Sequence, residues 1–368
     1  MRNFTPIDHA ARVSAIRSLL GAGDLGVDAL LFTDLVDVRW LTGFTGSNGW
    51  VVMRPDRAVL GTDTRYGERA AAETDGSGVE IVAIQHRGDL HRALVDAAGT
   101  GTVGLDARST THAQWKQLAV DVSLASVDSI VATAREVKDV AEIERIEAAS
   151  AAADAAMQEV EPLLFGTLDL PLTEADVRDE LEYRMRRHGA DDRSYETIVA
   201  TGPDHAARPH HEVGRRTIVE GDTVVIDVGA LVEGYHSDMT RSYVIGEPTA
   251  QQRDIYELVQ ISQTAGLAAL HPGVTATAVA SACRDVFVEA GYADWYLHGT
   301  GHGVGLQIHE SPFHSQASND VIQVGNVVTV EPGLYRGGFG GIRIEDLAVV
   351  TTDGYRVLTH HPKHPFNT

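Results

Sequence analysis

The stretch Thr223-Val224-Val225-Ile226-Asp227-Val228 reads as an apolar strand with a carboxylate set into it. Strand side chains alternate, so Val224, Ile226 and Val228 share one face and Val225 and Asp227 the other. An ionised carboxylate buried there is costly unless a cation or hydrogen-bond donors compensate it. Asp238 follows in Gly234-Tyr235-His236-Ser237-Asp238-Met239-Thr240-Arg241. A hairpin that pairs Thr223 to Val228 with Tyr235 to Val244 brings both acids to one spot.

The pattern repeats further along. The strand Asn326 to Val330 runs into Glu331, and its expected partner, Gly341 to Val350, holds Glu345 within Gly341-Ile342-Arg343-Ile344-Glu345-Asp346. Ile342 and Ile344 point to the core, which leaves Arg343 and Glu345 on the other face. One isolated acid pair would find Thr, Arg or turn amides as partners. Two similar hairpins with two acids each make coincidence a weaker explanation and suggest a C-terminal half built of two related units around one sheet.

Between the hairpins lies His298-Gly299-Thr300-Gly301-His302-Gly303-Val304-Gly305-Leu306-Gln307-Ile308-His309-Glu310-Ser311-Pro312. Each of its alternating glycines would cost a helix about 1 kcal/mol, so this is a loop or strand edge and not a zinc-protease helix. A lone His is usually a satisfied core or surface residue. His298, His302 and His309 among glycines that permit close backbone approach favour a site.

Four carboxylates and one imidazole are too rich in oxygen for a structural zinc. They suit two divalent ions, with Mn2+ preferred on ligand hardness and Co2+ or Zn2+ as alternatives. Two such ions roughly 3.5 to 4 Å apart can share a water and lower its pKa from about 15.7 toward neutrality, which makes hydrolysis the natural reaction.

Composition narrows the remaining classes. A length of 368 residues predicts two domains, and 43% hydrophobic residues supply their cores. Lys and Arg total 30 against 52 Asp and Glu, and the formal charge of -22 opposes nucleic acid and anionic lipid as partners. Cys283 is the only cysteine, so no intrachain disulfide can form. Asp8, Arg12 and Arg17 interrupt the first twenty residues and no later run reaches membrane-spanning length, so the expectation is a cytoplasmic protein without a membrane partner.

From Ala29 to about Ile130 short apolar runs alternate with helix-capable stretches, as in an α/β domain. Asp37 to Gly49 reads as a strand end followed by a Gly-rich turn, and no Lys-Ser/Thr pair closes it into a phosphate loop. From about Arg135 a long helix is predicted, because Val137, Val140, Ile143, Ile146, Ala149, Ala153 and Met157 recur at spacings of three and four. Further helices are expected over about Thr173 to His188, Ala250 to Leu270 and Ala276 to Ala290. The domain boundary is placed at 1–134 and 135–368.

These residues resemble the metallopeptidases of the pita-bread fold, in particular their proline-directed branch of Xaa-Pro aminopeptidases and Xaa-Pro dipeptidases. The likeness runs from Leu41-Thr42-Gly43-Phe44 through His298 to Pro312 and Glu331-Pro332-Gly333-Leu334-Tyr335 to Glu345-Asp346. It implies a creatinase-like α/β N-terminal domain with a mixed sheet and an α+β pita-bread catalytic domain. It also implies that Asp227, Asp238, His302, Glu331 and Glu345 hold the metals, with Asp238 and Glu345 bridging.

By the same resemblance His210, in Arg208-Pro209-His210-His211, binds substrate, with His211 its rival from spacing. His298 and His309 hold the scissile amide and stabilise the intermediate. Glu331 relays a proton, and Arg343 and Tyr335 support the ligands and the substrate. The implied substrates are peptides with proline in second position, and the implied assembly is a homodimer. Dipeptidases of this group often place Arg shortly after the His-Glu-x-Pro stretch to meet the substrate carboxylate; here Phe313 follows Pro312, which favours the aminopeptidase. A non-catalytic peptide-binding protein of the same fold would be expected to have lost ligands.

Overall fold

The computed structural model describes residues 3–166 and 171–365. Contacts divide the chain into two compact units, Pro6–Arg135 and Glu136–Thr368 joined by Met1–Thr5. Among the described residues no helix is long and apolar enough to cross a membrane.

The N-terminal unit is built on a six-stranded mixed sheet, in the order Glu80–Ile84, Ala58–Asp63, Gly49–Met53, Ala29–Phe32, Thr102–Asp106, Ser123–Val127. Gly49–Met53 runs antiparallel to both neighbours and the other pairings are parallel. Leu31, Val52, Val59, Val103 and Leu105 pack with Leu90 and Leu94 of the helix Arg87–Ala98. The segment expected to be a strand end is instead the helix Leu35–Thr42. The Asp34 side chain caps it by accepting from the Val36 and Asp37 amides, and Gly43 at φ 81° ends it. Its Asp37 is buried 2.9 Å from Arg135.

In the C-terminal unit the 26-residue helix Val140–Phe165 begins later than its periodicity suggests. Asp139 and Glu142 form a capping box there, and Lys138 leaves the helical path to donate its amide to Gly325 O at 2.9 Å. Val137 and Val140 are therefore exposed, 41% and 68%, and take no part in the buried stripe. Ile146, Ala149, Ala153 and Met157 are buried as expected. The helices Glu174–Arg187, Ala250–Ala269 and Ala276–Glu289 follow the predicted limits closely, each opened by a threonine cap.

The strand Thr223–Val228 lies between Ile198–Thr201 and Met239–Val244, antiparallel to both. Val224, Ile226 and Val228 pack against Ala149, Met157, Leu181 and Met185 of two helices. Burying such side chains stabilises by about 2 kcal/mol each, enough to fix which face turns inward and so where Asp227 points. A second sheet runs Glu310–His314, Gly301–Gly303, Val327–Val330, Asp346–Thr351, Gly354–Val357. Its Val328, Val330, Ala348 and Val350 pack on Leu267, Val279 and Cys283.

Neither return strand is continuous, contrary to expectation. Tyr235–His236 pairs with Ala230–Val232 around the tight turn at Glu233 and Gly234, and only Met239–Val244 pairs with Thr223–Val228. In the second hairpin Gly340–Arg343 pairs with Gly333–Arg336, and only Asp346–Thr351 pairs with Val327–Val330. Pro332 has no amide hydrogen to continue the ladder. These breaks put Asp238 just before the pair Met239 with Val228, and Glu331 and Glu345 just past the pair Val330 with Asp346.

Candidate functional site

The two strand pairs dock at Thr240 and Glu345. The Glu345 amide donates to Thr240 O at 3.2 Å, and Thr240 Oγ1 donates to Glu345 Oε2 at 2.6 Å. Thr240 also faces Asp227 across the ladder. Ser242 Oγ ties the pairs a second time, donating to Arg343 O at 2.8 Å and accepting from the Arg343 amide at 2.9 Å. Asp227, Asp238 and Glu345 thereby offer carboxylate oxygens that all lie within 4.8 Å of one another.

His302 completes the group from the strand Gly301–Gly303. That strand sits close enough to its neighbour that a Cβ at Gly301 would collide with the Thr329 carbonyl. The His302 Nε2 lies 3.5 Å from Asp238 Oδ2 and 3.4 Å from Glu331 Oε1. Its Nδ1 is 3.1 Å from Gly303 O, which assigns the ring proton to Nδ1 and leaves a lone pair on Nε2 facing two carboxylates. Burial pushes the His302 pKa down and so favours this neutral form.

Burial, aided by neighbouring carboxylates, pushes Asp238 and Glu345 well above the usual carboxylate range. Burial raises Glu331 as well, against the opposing pull of His298 and Arg343. The buried Glu345 Oε1 has no hydrogen-bond partner among the described residues. A lone pair aimed at carboxylates, an orphaned carboxylate oxygen and crowded acids are what a cation would relieve. Four oxygen-donor residues and one imidazole fit hard divalent ions.

Arg343 is enclosed beside this group, its side chain 3% exposed. Its Nη2 donates to Asp227 Oδ2 at 2.6 Å, Nε to Thr240 Oγ1 at 3.0 Å, and Nη1 to both Pro209 O and Tyr335 Oη at 2.8 Å. Tyr335 Oη is 2.9 Å from His298 Nε2, and burial pushes its pKa up to about 12. His298 Nδ1 lies 2.6 Å from Gly299 O, so this nitrogen carries the proton and Nε2 accepts from Tyr335. Both His298 nitrogens are thus engaged within the protein. His309 is exposed and sets its ring edge-on to His302, with centroids 4.4 Å apart.

A cavity of about 560 Å³ opens over the acids, with His210, His298, His309 and Phe313 in its wall. Ile198, Pro209 and Ile308 give it apolar surface. The two adjacent histidines separate: His210 faces this cavity, whereas His211 is buried with Nε2 3.3 Å from Glu174. Glu174 also takes hydrogen bonds from the Thr201 amide at 2.9 Å and the Gly214 amide at 3.2 Å, and lies 2.9 Å from His205 Nδ1. It forms a second His-carboxylate group, already satisfied by donors within the protein.

Tyr195 was not legible as a site residue. Its hydroxyl contacts both Asp227 and Asp238. A single tyrosine in the polar stretch ahead of Ile198–Thr201 carries no periodic or motif signal, and only folding brings it across the acids.

Residues 144–352 match the model of metallopeptidase family M24, and residues 12–137 match that of the creatinase/prolidase N-terminal domain. The chain is 34% identical over 335 residues to a Xaa-Pro dipeptidase of Pyrococcus furiosus, covering 90% of this chain and 93% of the relative. Among solved structures, a Xaa-Pro dipeptidase from Bacillus anthracis is similar with a TM-score of 0.90 at 33% identity, covering 97% and 99% of the two chains. An X-Pro aminopeptidase from Thermotoga maritima is similar with a TM-score of 0.84 at 31% identity, covering 93% and 98%. This chain therefore belongs to metallopeptidase family M24, its catalytic fold preceded by a creatinase/prolidase N-terminal domain.

Proposed function

We propose that this protein is a dinuclear, metal-dependent aminopeptidase that hydrolyses the Xaa-Pro bond at the N-terminus of peptides. The observation that carries the reading is the convergence of Asp227, Asp238 and Glu345 on one point, with His302 Nε2 directed at Asp238 and Glu331. Those five side chains would hold two divalent ions, Mn2+ first on ligand hardness with Co2+ or Zn2+ as alternatives. When bound, such ions supply Lewis-acid polarisation of the scissile carbonyl and a water acidic enough to attack it near neutral pH.

The chain's own residues do the rest. His210 and the exposed His309 bind the substrate from the cavity wall. Tyr335 holds His298, whose engaged nitrogens make it an orienting group until a substrate displaces the Tyr335 contact. Glu331, in the cavity wall among the acids, would relay a proton to the departing proline nitrogen. Ile198, Pro209 and Ile308 offer apolar surface suited to a pyrrolidine ring.

Xaa-Pro dipeptidase activity is the second reading, favoured by the names of two of the relatives above. A dipeptidase needs a cation for the carboxylate on proline itself. Phe313 stands on this cavity wall, and Arg343 already commits its donors to Asp227, Thr240, Pro209 and Tyr335, which supports the aminopeptidase. Rates on Xaa-Pro and Xaa-Pro-Xaa peptides with added Mn2+ test the choice. Faster cleavage of the longer peptide is expected, and cleavage of dipeptides alone would overturn it.

A further inference from the structure

In the main cavity the only arginine among the described lining residues, Arg343, already gives most of its donors to protein partners, yet a peptide still ends in a carboxylate. A second cavity, about 240 Å³, adjoins the first and shares Glu196 and His210 with it. Two guanidinium groups stand in its wall, Arg178 from the helix Glu174–Arg187 and Arg193 from the strand Asp192–Arg193, together with two exposed acids, Glu196 and Glu212, whose side chains can turn to solvent.

Both arginines are placed yet accessible. Arg193 Nη1 donates to Glu182 at 3.0 Å and Nη2 to Glu196 at 3.2 Å, while its side chain stays 35% exposed. Arg178 donates through Nε to Asp179 at 2.8 Å and is 29% exposed. The largely buried Glu182 holds Arg193 at the wall, whereas the Asp179 and Glu196 partners are exposed and exchangeable, and Arg178 Nη1 and Arg193 Nε make no hydrogen bond among the described residues. Glu196 at the junction is 83% exposed and free to swing into solvent when another carboxylate arrives. In an extended peptide each further residue advances the chain by about 3.5 Å, and the side cavity opens at His210, in the wall of the main one.

We infer that the side cavity is the subsite for the residue after proline, and that Arg178 and Arg193 there bind the terminal carboxylate of Xaa-Pro-Xaa tripeptides. The inference rests on the aminopeptidase reading and names its preferred substrate class: short peptides with a free C-terminus one residue past the proline. A charge-assisted pair with guanidinium is stronger than the neutral contacts an amide terminus could make.

The experiment compares the Mn2+-loaded enzyme on an Xaa-Pro-Xaa tripeptide as the free acid and as its C-terminal amide. The wild-type protein is expected to show a KM about tenfold higher for the amide, a ratio worth about 1.4 kcal/mol. In the double variant R178Q/R193Q the amide-to-acid KM ratio falls to about one. A ratio near one in the wild type, or one that survives in the variant, overturns the subsite assignment while leaving Xaa-Pro cleavage standing. No cleavage of any Xaa-Pro bond by the metal-loaded wild type would overturn the proposed function and this assignment with it.

Discussion

Arg343 and Asp227 are joined by an Nη2-to-Oδ2 contact of 2.6 Å inside the protein, and the same guanidinium grips Pro209 O beside His210. One rigid cation therefore links a carboxylate of the candidate metal group, the main chain next to the cavity-wall His210, and the Tyr335 hydroxyl that holds His298. Lysine has no planar fork and cannot serve these directions together. Arg343→Lys is expected to lower kcat/KM by roughly 10- to 100-fold with the fold retained, as for other groups that orient metal ligands. Steady-state kinetics with circular dichroism checks this, and a change under twofold would remove Arg343 from the site.

Tyr195 is the second orienting group, its hydroxyl set against Asp227 and Asp238. Tyr195→Phe deletes the hydroxyl and keeps the ring. Metal affinity or activity is expected to fall roughly tenfold or more, read by Mn2+ titration of activity and by calorimetry. Wild-type affinity and rate together would show that the contact is incidental.

Metal removal has a sign that follows from the raised pKa values of Asp238 and Glu345. A carboxyl raised in the folded state contributes stability that is full below its unfolded value, about 4, and is lost as pH rises through the folded value. Chelated protein is therefore expected to lose thermal stability as pH rises above that unfolded value, while Mn2+ relieves the repulsion. The melting-temperature gap between Mn2+-loaded and chelated samples should widen as pH rises. A gap that narrows with rising pH contradicts the assignment of these acids to a cation site.

Glu174 is fully buried and holds Thr201, Gly214, His205 and His211, the last of these next to His210. Glu174→Ala orphans those donors and is expected to destabilise by about 3 kcal/mol or more, since several buried partners lose their acceptor together. At a temperature where the variant is folded, KM should rise more than kcat falls, because the loss acts on where His210 sits. Denaturant unfolding and kinetics check both parts, and a kcat loss with KM unchanged would place Glu174 in the chemistry itself.

Most residues of the candidate site, Tyr195 excepted, and the elements that carry them can be read along the chain. Asp227 in its apolar strand, the glycines around His302 and the threonine caps at 173, 249 and 275 are local signals, written in side-chain period and backbone preference. Tertiary structure decided everything that depends on partners distant in the chain. The return strands split because strand pairing and the Pro332 break override a continuous apolar run, and Asp37 is helical because Asp34 and Gly43 bound its segment more firmly than its apolar residues extend it. The approach of Tyr195 to two acids, the separate fates of His210 and His211, and the four commitments of Arg343 are relations between segments tens of residues apart. Such relations have no period to read, because register and docking are set by which faces bury together, and only the packed chain fixes that.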